Sequence, residues 1–438
     1  MGGMFGVMKF LLMFKLIMSK EEMKPKEAIS EIISNLKKGD TEVKLHGEVI
    51  TPLFLVEEML DLLPKKVWSN PNLKWLDPCN GMGTFFSIAL ERLMDGLLDF
   101  QPNDELRYKH IVENMFWACE IQEVNMKTYF EIFNPNQNYK MNSYLGSYLE
   151  DDFINNIGIE KFDVILMNPP YQILKQGNKK SQPLWDKFVI KAISELVEGG
   201  YLVAVHPDGW RGLGKVFNKV KQVLKSKQMI CLEVHNANDG VKTFGVQIPY
   251  DFYCIRNIPY SFNTKIKCSD EITQKIDISK REFIPNGMFK EFDKLIAVED
   301  EKIHLLQDST YHTQNECMYK KQTEEYIYPC VYTTTKDGSV NLWYSNVNKG
   351  HFGIPKVIFT NGSATHPIID EFGEYGLTQF AYGIVDSVQN LPYIQKALLN
   401  PEFLKLISFS DGLTNAGRHL YNPKVIALFR KDFWKDFI

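Results

Sequence analysis

The chain has 438 residues, 44% hydrophobic and 24% charged, with a formal net charge of −4. That length and apolar content allow two domains with packed cores and exclude a disordered or fibrous chain. The slightly acidic balance excludes a uniformly basic nucleic-acid binder, so any phosphate contact has to come from the distribution of charge. Seven cysteines without a C-x-x-C pair argue against a disulfide framework or a zinc knuckle, and fit a reducing, cytoplasmic setting rather than secretion.

Residues Met4 to Met18 are apolar, but Lys9 and Lys15 interrupt them and no small-residue cleavage site follows. We read 1–25 as a peripheral N-terminal extension, with Met18 or Met23 as alternative starts of translation. A helix is expected from about Lys26 to Lys37. After Gly47-Glu48-Val49-Ile50, Thr51 reads as an N-cap and Pro52 as the first residue of a second helix, which stops at Pro64.

Leu73 to Leu76 reads as a short strand running into Asp77-Pro78-Cys79-Asn80-Gly81-Met82-Gly83-Thr84, a glycine turn that opens a helix from about Phe85. Glycines let the backbone approach a ligand closely, and the helix N-terminus offers N–H groups. A dinucleotide binder would use the same kind of loop. Met115 to Cys119 is a second apolar strand, and it ends in Glu120, the geometry for gripping two ribose hydroxyls. Tyr148-Leu149-Glu150-Asp151-Asp152-Phe153 follows.

Phe162 to Met167 reads as a buried parallel strand that runs straight into Asn168-Pro169-Pro170-Tyr171. The tetrapeptide is thereby placed at the carboxyl edge of a sheet, where ligands of open α/β folds bind. Two prolines stiffen the loop. The exocyclic amino group of a nucleobase is a poor nucleophile, because its lone pair is delocalised into the ring. The Asn168 side-chain oxygen and the Pro169 carbonyl could each accept one of its N–H bonds and draw the nitrogen towards tetrahedral geometry, while Tyr171 stacks on the base. Between Tyr171 and Ile230, ten lysines and one arginine face four acids, a local net charge of +7. That run, which includes Lys175, Lys179, Lys180, Arg211, Lys215, Lys219, Lys221, Lys225 and Lys227, suits phosphate contacts or simply a solvated helix face.

Further helices are expected over Leu184 to Leu196 and Gly214 to Leu224, with strands over Tyr201 to Val205 and Met229 to Val234. A polar loop, His235 to Gly245, then leads to a strand from Tyr250 to Ile255 with no intervening helix, which suggests an antiparallel sheet edge. From about Pro259 the alternation ends. A polar linker is expected through Lys280, then a region of short strands and aromatic-rich loops carrying Tyr326, Tyr328, Tyr332, Trp343, Tyr344, Phe352 and Phe359.

In these motifs the chain resembles the S-adenosylmethionine-dependent N6-adenine DNA methyltransferases of restriction-modification type, with the gamma order of cofactor, catalytic and recognition segments. The resemblance covers roughly Gly47 to Arg256 and, more loosely, the C-terminal part. It implies a Rossmann-like class I methyltransferase fold with a seven-stranded mixed sheet over 26–258, a linker over 259–280, and a separate α+β target-recognition domain over 281–438. The cofactor-binding set it implies is Thr51, Asp77, Pro78, Gly81, Gly83, Thr84, Glu120, Ile121, Asp152, Phe153 and Asn168. Thr51 would help hold the methionine carboxylate, and Asp152, or its neighbour Asp151, would seat the adenine beside Phe153. Asn168, Pro169, Pro170 and Tyr171 would be catalytic, and Phe244 would wall the target pocket opposite Tyr171. Candidate DNA contacts are Lys179, Lys180, Arg211, Lys349, Asn361, Ser363, Asn415, Arg418 and His419. No metal is expected; the chain would act as a monomer or dimer on double-stranded DNA, either beside a separately encoded restriction endonuclease or as an orphan methylase without one. The same tetrapeptide also serves RNA adenine or guanine methyltransferases and glutamine methyltransferases acting on release factors, and both stay open as alternatives.

Overall fold

The computed structural model describes residues 24–36, 50–150, 153–173, 182–269, 271–298, 301–362, 365–415, 417 and 419–438. The expected N-terminal extension lies outside the described residues except for its last two positions. Among the described residues no helix is long and apolar enough to cross a membrane.

Four strands lead the chain into its main sheet: β1 (Trp75–Asp77), β2 (Phe116–Glu120), β3 (Asn142–Leu145) and β4 (Phe162–Met167). A small hairpin follows, β5 (Gln172–Ile173) with β6 (Gln182–Pro183). Five more strands complete the sheet: β7 (Leu196–Pro207), β8 (Lys227–His235), β9 (Tyr250–Pro259), β10 (Thr264–Lys267) and β11 (Thr273–Ile276). Their spatial order is β11-β10-β8-β9-β7-β4-β1-β2-β3. β3, β2, β1, β4 and β7 run parallel, while β9 is antiparallel to both β7 and β8. The reversed β9 realises the antiparallel pairing expected of Tyr250 to Ile255.

β1, β2 and β4 are apolar along nearly their whole length because both faces of the sheet are covered. Alternate residues enter opposite cores. Trp75, Phe116 and Val164 pack on one face with Phe86, Tyr129 and Phe252. Leu76, Trp117 and Ile165 pack on the other with Trp185, Trp210 and Tyr253.

Three expectations are corrected here. The sheet has nine strands rather than seven, because 259–280 is not a linker: it contains β10, which pairs parallel with β8, and β11, which pairs antiparallel with β10. The stretch His235 to Gly245 is not a loop but holds a helix, Ala237–Phe244, started by a capping box between Asn236 and Asp239. Pro52, not Thr51, is the N-cap of the helix Leu53–Asp61.

The C-terminal part carries two four-stranded sheets. One has the order β12 (His304–Leu306), β19 (Ala381–Val385), β16 (Lys356–Thr360), β17 (Ile368–Asp370). The other has the order β13 (Met318–Tyr319), β15 (Val340–Ser345), β14 (Tyr328–Thr334), β18 (Gly376–Leu377). Helices Leu391–Leu399 and Pro401–Ser408 pack on the first sheet's core with Phe283, Phe292 and Phe429. Ile278, Ile284 and Phe289 belong instead to the core of the nine-stranded sheet. The two cores thus meet along 278–292 with no slack segment between them.

Candidate active site

Because β3, β2, β1 and β4 are parallel neighbours, their carboxyl ends line one edge. Leu145, Glu120, Asp77 and Asn168 follow one another along it. The strand order reverses between β1 and β4, the place where open α/β sheets form a ligand crevice.

At the end of β1, Asp77 Oδ1 accepts the Cys79 backbone N–H at 3.1 Å. Its Oδ2 is buried and has no hydrogen-bond partner. Burial, with Glu120 nearby, pushes the Asp77 carboxyl up to about 8. Asn80 Oδ1 is likewise buried without a partner. Gly81 has φ +53, and a Cβ built there would meet nothing within 4 Å, so the loop leaves open space on that side. Gly83 is different: at φ +91 a Cβ would lie 2.7 Å from the rings of Tyr129 and Phe133, so the turn is pinned against the helix behind it. Pro78 and Thr84 are buried in the turn, and Thr84 starts the helix Thr84–Gly96.

The Glu120 carboxylate ties this loop to β2. Gly81 N–H donates to Oε2 and Gln122 N–H to Oε1, both at 2.8 Å. Burial nevertheless raises its pKa against those bonds. Beside it Ile121 is 68% exposed and Leu145 is 51% exposed, an apolar surface at the strand ends. Unpartnered buried oxygens, an open glycine and an exposed apolar rim fit a ligand with a cationic group, hydroxyls and a flat ring. The chemistry of this donor set suits an adenosyl amino acid.

Phe153 corrects its expected role. Its side chain is fully buried against Tyr148 and Tyr144, with ring centroids at 4.9 and 5.8 Å, so it offers no open face to an adenine. Ile121 and Leu145 are the exposed apolar side chains at that edge. Asp151 and Asp152 lie outside the described residues.

Asn168 follows β4 directly and is half-buried. Its Nδ2 donates to Thr51 Oγ1 at 3.0 Å, and its backbone N–H donates to the Cys79 thiol. Pro169 is buried and Pro170 exposed. The Tyr171 hydroxyl is buried without a partner, and burial raises its pKa. Tyr250 is its neighbour. β9 begins at this edge, where Tyr250 packs against the helix Ala237–Phe244. Phe244 meets the Tyr250 ring edge-on at 5.0 Å, Thr243 Oγ1 lies 2.9 Å from the Tyr250 hydroxyl, and His235 stacks on that ring at 4.5 Å. Burial keeps His235 neutral, its pKa lowered to about 4. Sequence reasoning missed Tyr250 and His235, whose only signal was their place at the ends of β9 and β8.

The expected basic surface is only partly one. Arg211 is buried: Nε donates to Asp251 at 2.7 Å, and Nη1 donates to Asn286 Oδ1 at 2.7 Å and to the Ile284 carbonyl at 2.9 Å. It is therefore a structural joint and no DNA contact. Lys221 donates to the carbonyls of Gly212 and Glu282, and Lys225 to that of Arg281, fastening the helix Asn218–Ser226 to the following region. Lys215, Lys219, Lys349 and Asn361 are exposed, and His419 is half-buried. Lys175, Lys179, Lys180, Ser363 and Arg418 lie outside the described residues, as does the Asn415 side chain. Among the described residues no group of three His, Cys, Asp or Glu is placed to hold a metal ion.

The model of the methyltransferase small domain family matches residues 132–233. An uncharacterized adenine-specific methylase of Mycoplasma pneumoniae is 26% identical over 321 residues, which cover 54% of this chain and 74% of that protein. The type II methyltransferase M.BstVI of Geobacillus stearothermophilus is 24% identical over 199 residues, 38% of this chain and 34% of that one, so only a third of its length is matched. Among solved structures, the DrdV–DNA complex shares the fold with a TM-score of 0.51 and 11% identity, over 94% of this chain and 58% of that one.

Proposed function

We propose that this chain, an enzyme of the adenine-specific DNA methyltransferase class, transfers a methyl group from S-adenosylmethionine to the N6 amino group of an adenine flipped out of duplex DNA. Bound at the β1 and β2 ends, the cofactor supplies an electrophilic methyl on a sulfonium. Asp77, the Gly81 turn, Glu120 and the Ile121 rim would bind it. Asn168 Oδ1 and the Pro169 carbonyl would accept the two amino N–H bonds and align the nitrogen, so that transfer is a direct displacement helped chiefly by orientation, with S-adenosylhomocysteine as the leaving group and the surplus amine proton passing to water. Tyr171, backed by Tyr250, and Phe244 would hold the ring. The exposed surface of 281–438 would grip the duplex wherever the cell keeps its genomic DNA.

The observation that carries this reading is the convergence at one sheet edge of Asp77, Glu120 and the Asn168-Pro169-Pro170-Tyr171 loop. One relative is named an adenine-specific methylase, which supports adenine as the target, and another a type II methyltransferase, which supports a cognate endonuclease. The direct test is transfer of labelled methyl from S-adenosylmethionine to duplex DNA, RNA and protein in parallel. Label in N6-methyladenine of duplex DNA is expected, and label confined to RNA or to protein glutamine would overturn it.

A further inference from the structure

Two hydrogen bonds reach Asn168 from segments far away in sequence. One joins its Nδ2 to Thr51 Oγ1 across 117 residues. The other runs from its backbone N–H to the Cys79 thiol, which burial beside Asp77 and Glu120 keeps protonated. Thr51 is 6% exposed and stands just before a helix whose N-cap, Pro52, has no side-chain cap bond. Its hydroxyl oxygen thus accepts from the catalytic loop and does not cap the helix end.

A carboxamide can sit in its pocket in two ways, related by a half-turn that exchanges NH2 and C=O. Towards an amino group these two ways are opposites. One presents an acceptor, which draws on the amine's N–H, and the other presents two donors, which repel it. With Nδ2 engaged by Thr51, the atom Asn168 can offer a substrate amine is Oδ1. The Cys79 contact fixes the backbone from which the amide projects.

We propose that Thr51 is a positioning residue for methyl transfer: it anchors the Asn168 carboxamide in the pose that leaves Oδ1 for the target amine, with Cys79 as the second point of fixation. This rests on the reading of Asn168 as the acceptor of that amine. It makes Thr51 matter for the chemical step beyond any contact with the cofactor.

The test uses Thr51→Val, which keeps shape and removes the hydroxyl, Thr51→Ser, which restores it, and Cys79→Ala, should the valine variant fail to fold. The first readout needs no substrate. With 15N-asparagine labelling, the Asn168 side-chain NH2 pair is identified by its loss in Asn168→Asp. In Thr51→Val that pair is expected to shift and to exchange faster with water. In Cys79→Ala the Asn168 backbone amide shifts. The second readout is kinetic: kcat falls about tenfold or more in Thr51→Val, a larger loss than calorimetry finds in cofactor affinity, and Thr51→Ser recovers most of kcat. An unmoved NH2 pair, parallel loss of cofactor affinity and kcat, or a serine variant no better than valine would overturn the proposal. A wild-type protein that methylates no DNA would overturn the proposed function instead, and the NMR result would still decide whether Thr51 orients Asn168.

Discussion

Asn168 and Glu120 sit on the same sheet edge with different tasks, and substitution separates them. Asn168→Ala deletes hydrogen bonds needed mainly in the transition state, so it should abolish transfer while calorimetry finds S-adenosylmethionine bound nearly as before; equal loss of both would remove the role assigned here. Glu120→Ala should weaken cofactor binding by about 1–3 kcal/mol, the range for charge-assisted hydrogen bonds. Unchanged affinity would mean the hydroxyls are held elsewhere. Asp77 makes a pH prediction. Its carboxyl, raised from 3.8 to about 8 by burial, keeps a proton in the folded protein that the unfolded chain gives up near its ordinary value. The folded state binds more protons in that window, so the Asp77 contribution to stability is present in acid and is lost as pH rises through about 8. The slope is at most about 1.4 kcal/mol per pH unit. Urea unfolding at pH 5 and pH 8 should show a smaller fall in stability for Asp77→Asn than for wild type, and identical slopes would show that Asp77 is already ionised.

The elements with chemistry at their ends were the most legible in the sequence. β2 and β4 are continuous apolar runs, as a parallel sheet covered on both faces favours, and these two and β1 are each followed at once by a polar motif. Less was legible where the signal was local and polar. Ala237, Val241 and Phe244 share one helical face, but over only eight residues, and the clearer mark of this helix is the Asn236/Asp239 capping box. β10 and β11 are short and lysine-bearing, with the alternation of an edge pair, so they resembled a linker. The Arg211 joint was illegible, since nothing in a basic run distinguishes the one guanidinium whose partners Asp251 and Asn286 arrive 40 and 75 residues later. Its stability consequence is large. Arg211→Met leaves Asp251 buried and Asp208 half-buried without their cation and should cost about 3–5 kcal/mol. A urea midpoint close to wild type would contradict that assignment.

Across the whole molecule, the catalytic sheet and the C-terminal sheets share a continuous boundary instead of a tether. Arg211 joins β9, through Asp251, to the segment at Ile284 and Asn286. The Asn286 backbone N–H in turn donates to the Phe409 carbonyl at 2.8 Å. Residues that would read DNA sequence are therefore fixed relative to the Asn168 loop. That arrangement suits an enzyme whose chemistry waits on correct placement of one base. Expression in a host lacking adenine methylation, followed by single-molecule sequencing of its DNA, tests the central claim most directly. N6-methyladenine confined to one short sequence motif is the predicted result, and it should vanish with Asn168→Ala. Unmodified DNA from cells holding soluble protein that binds S-adenosylmethionine would contradict the account.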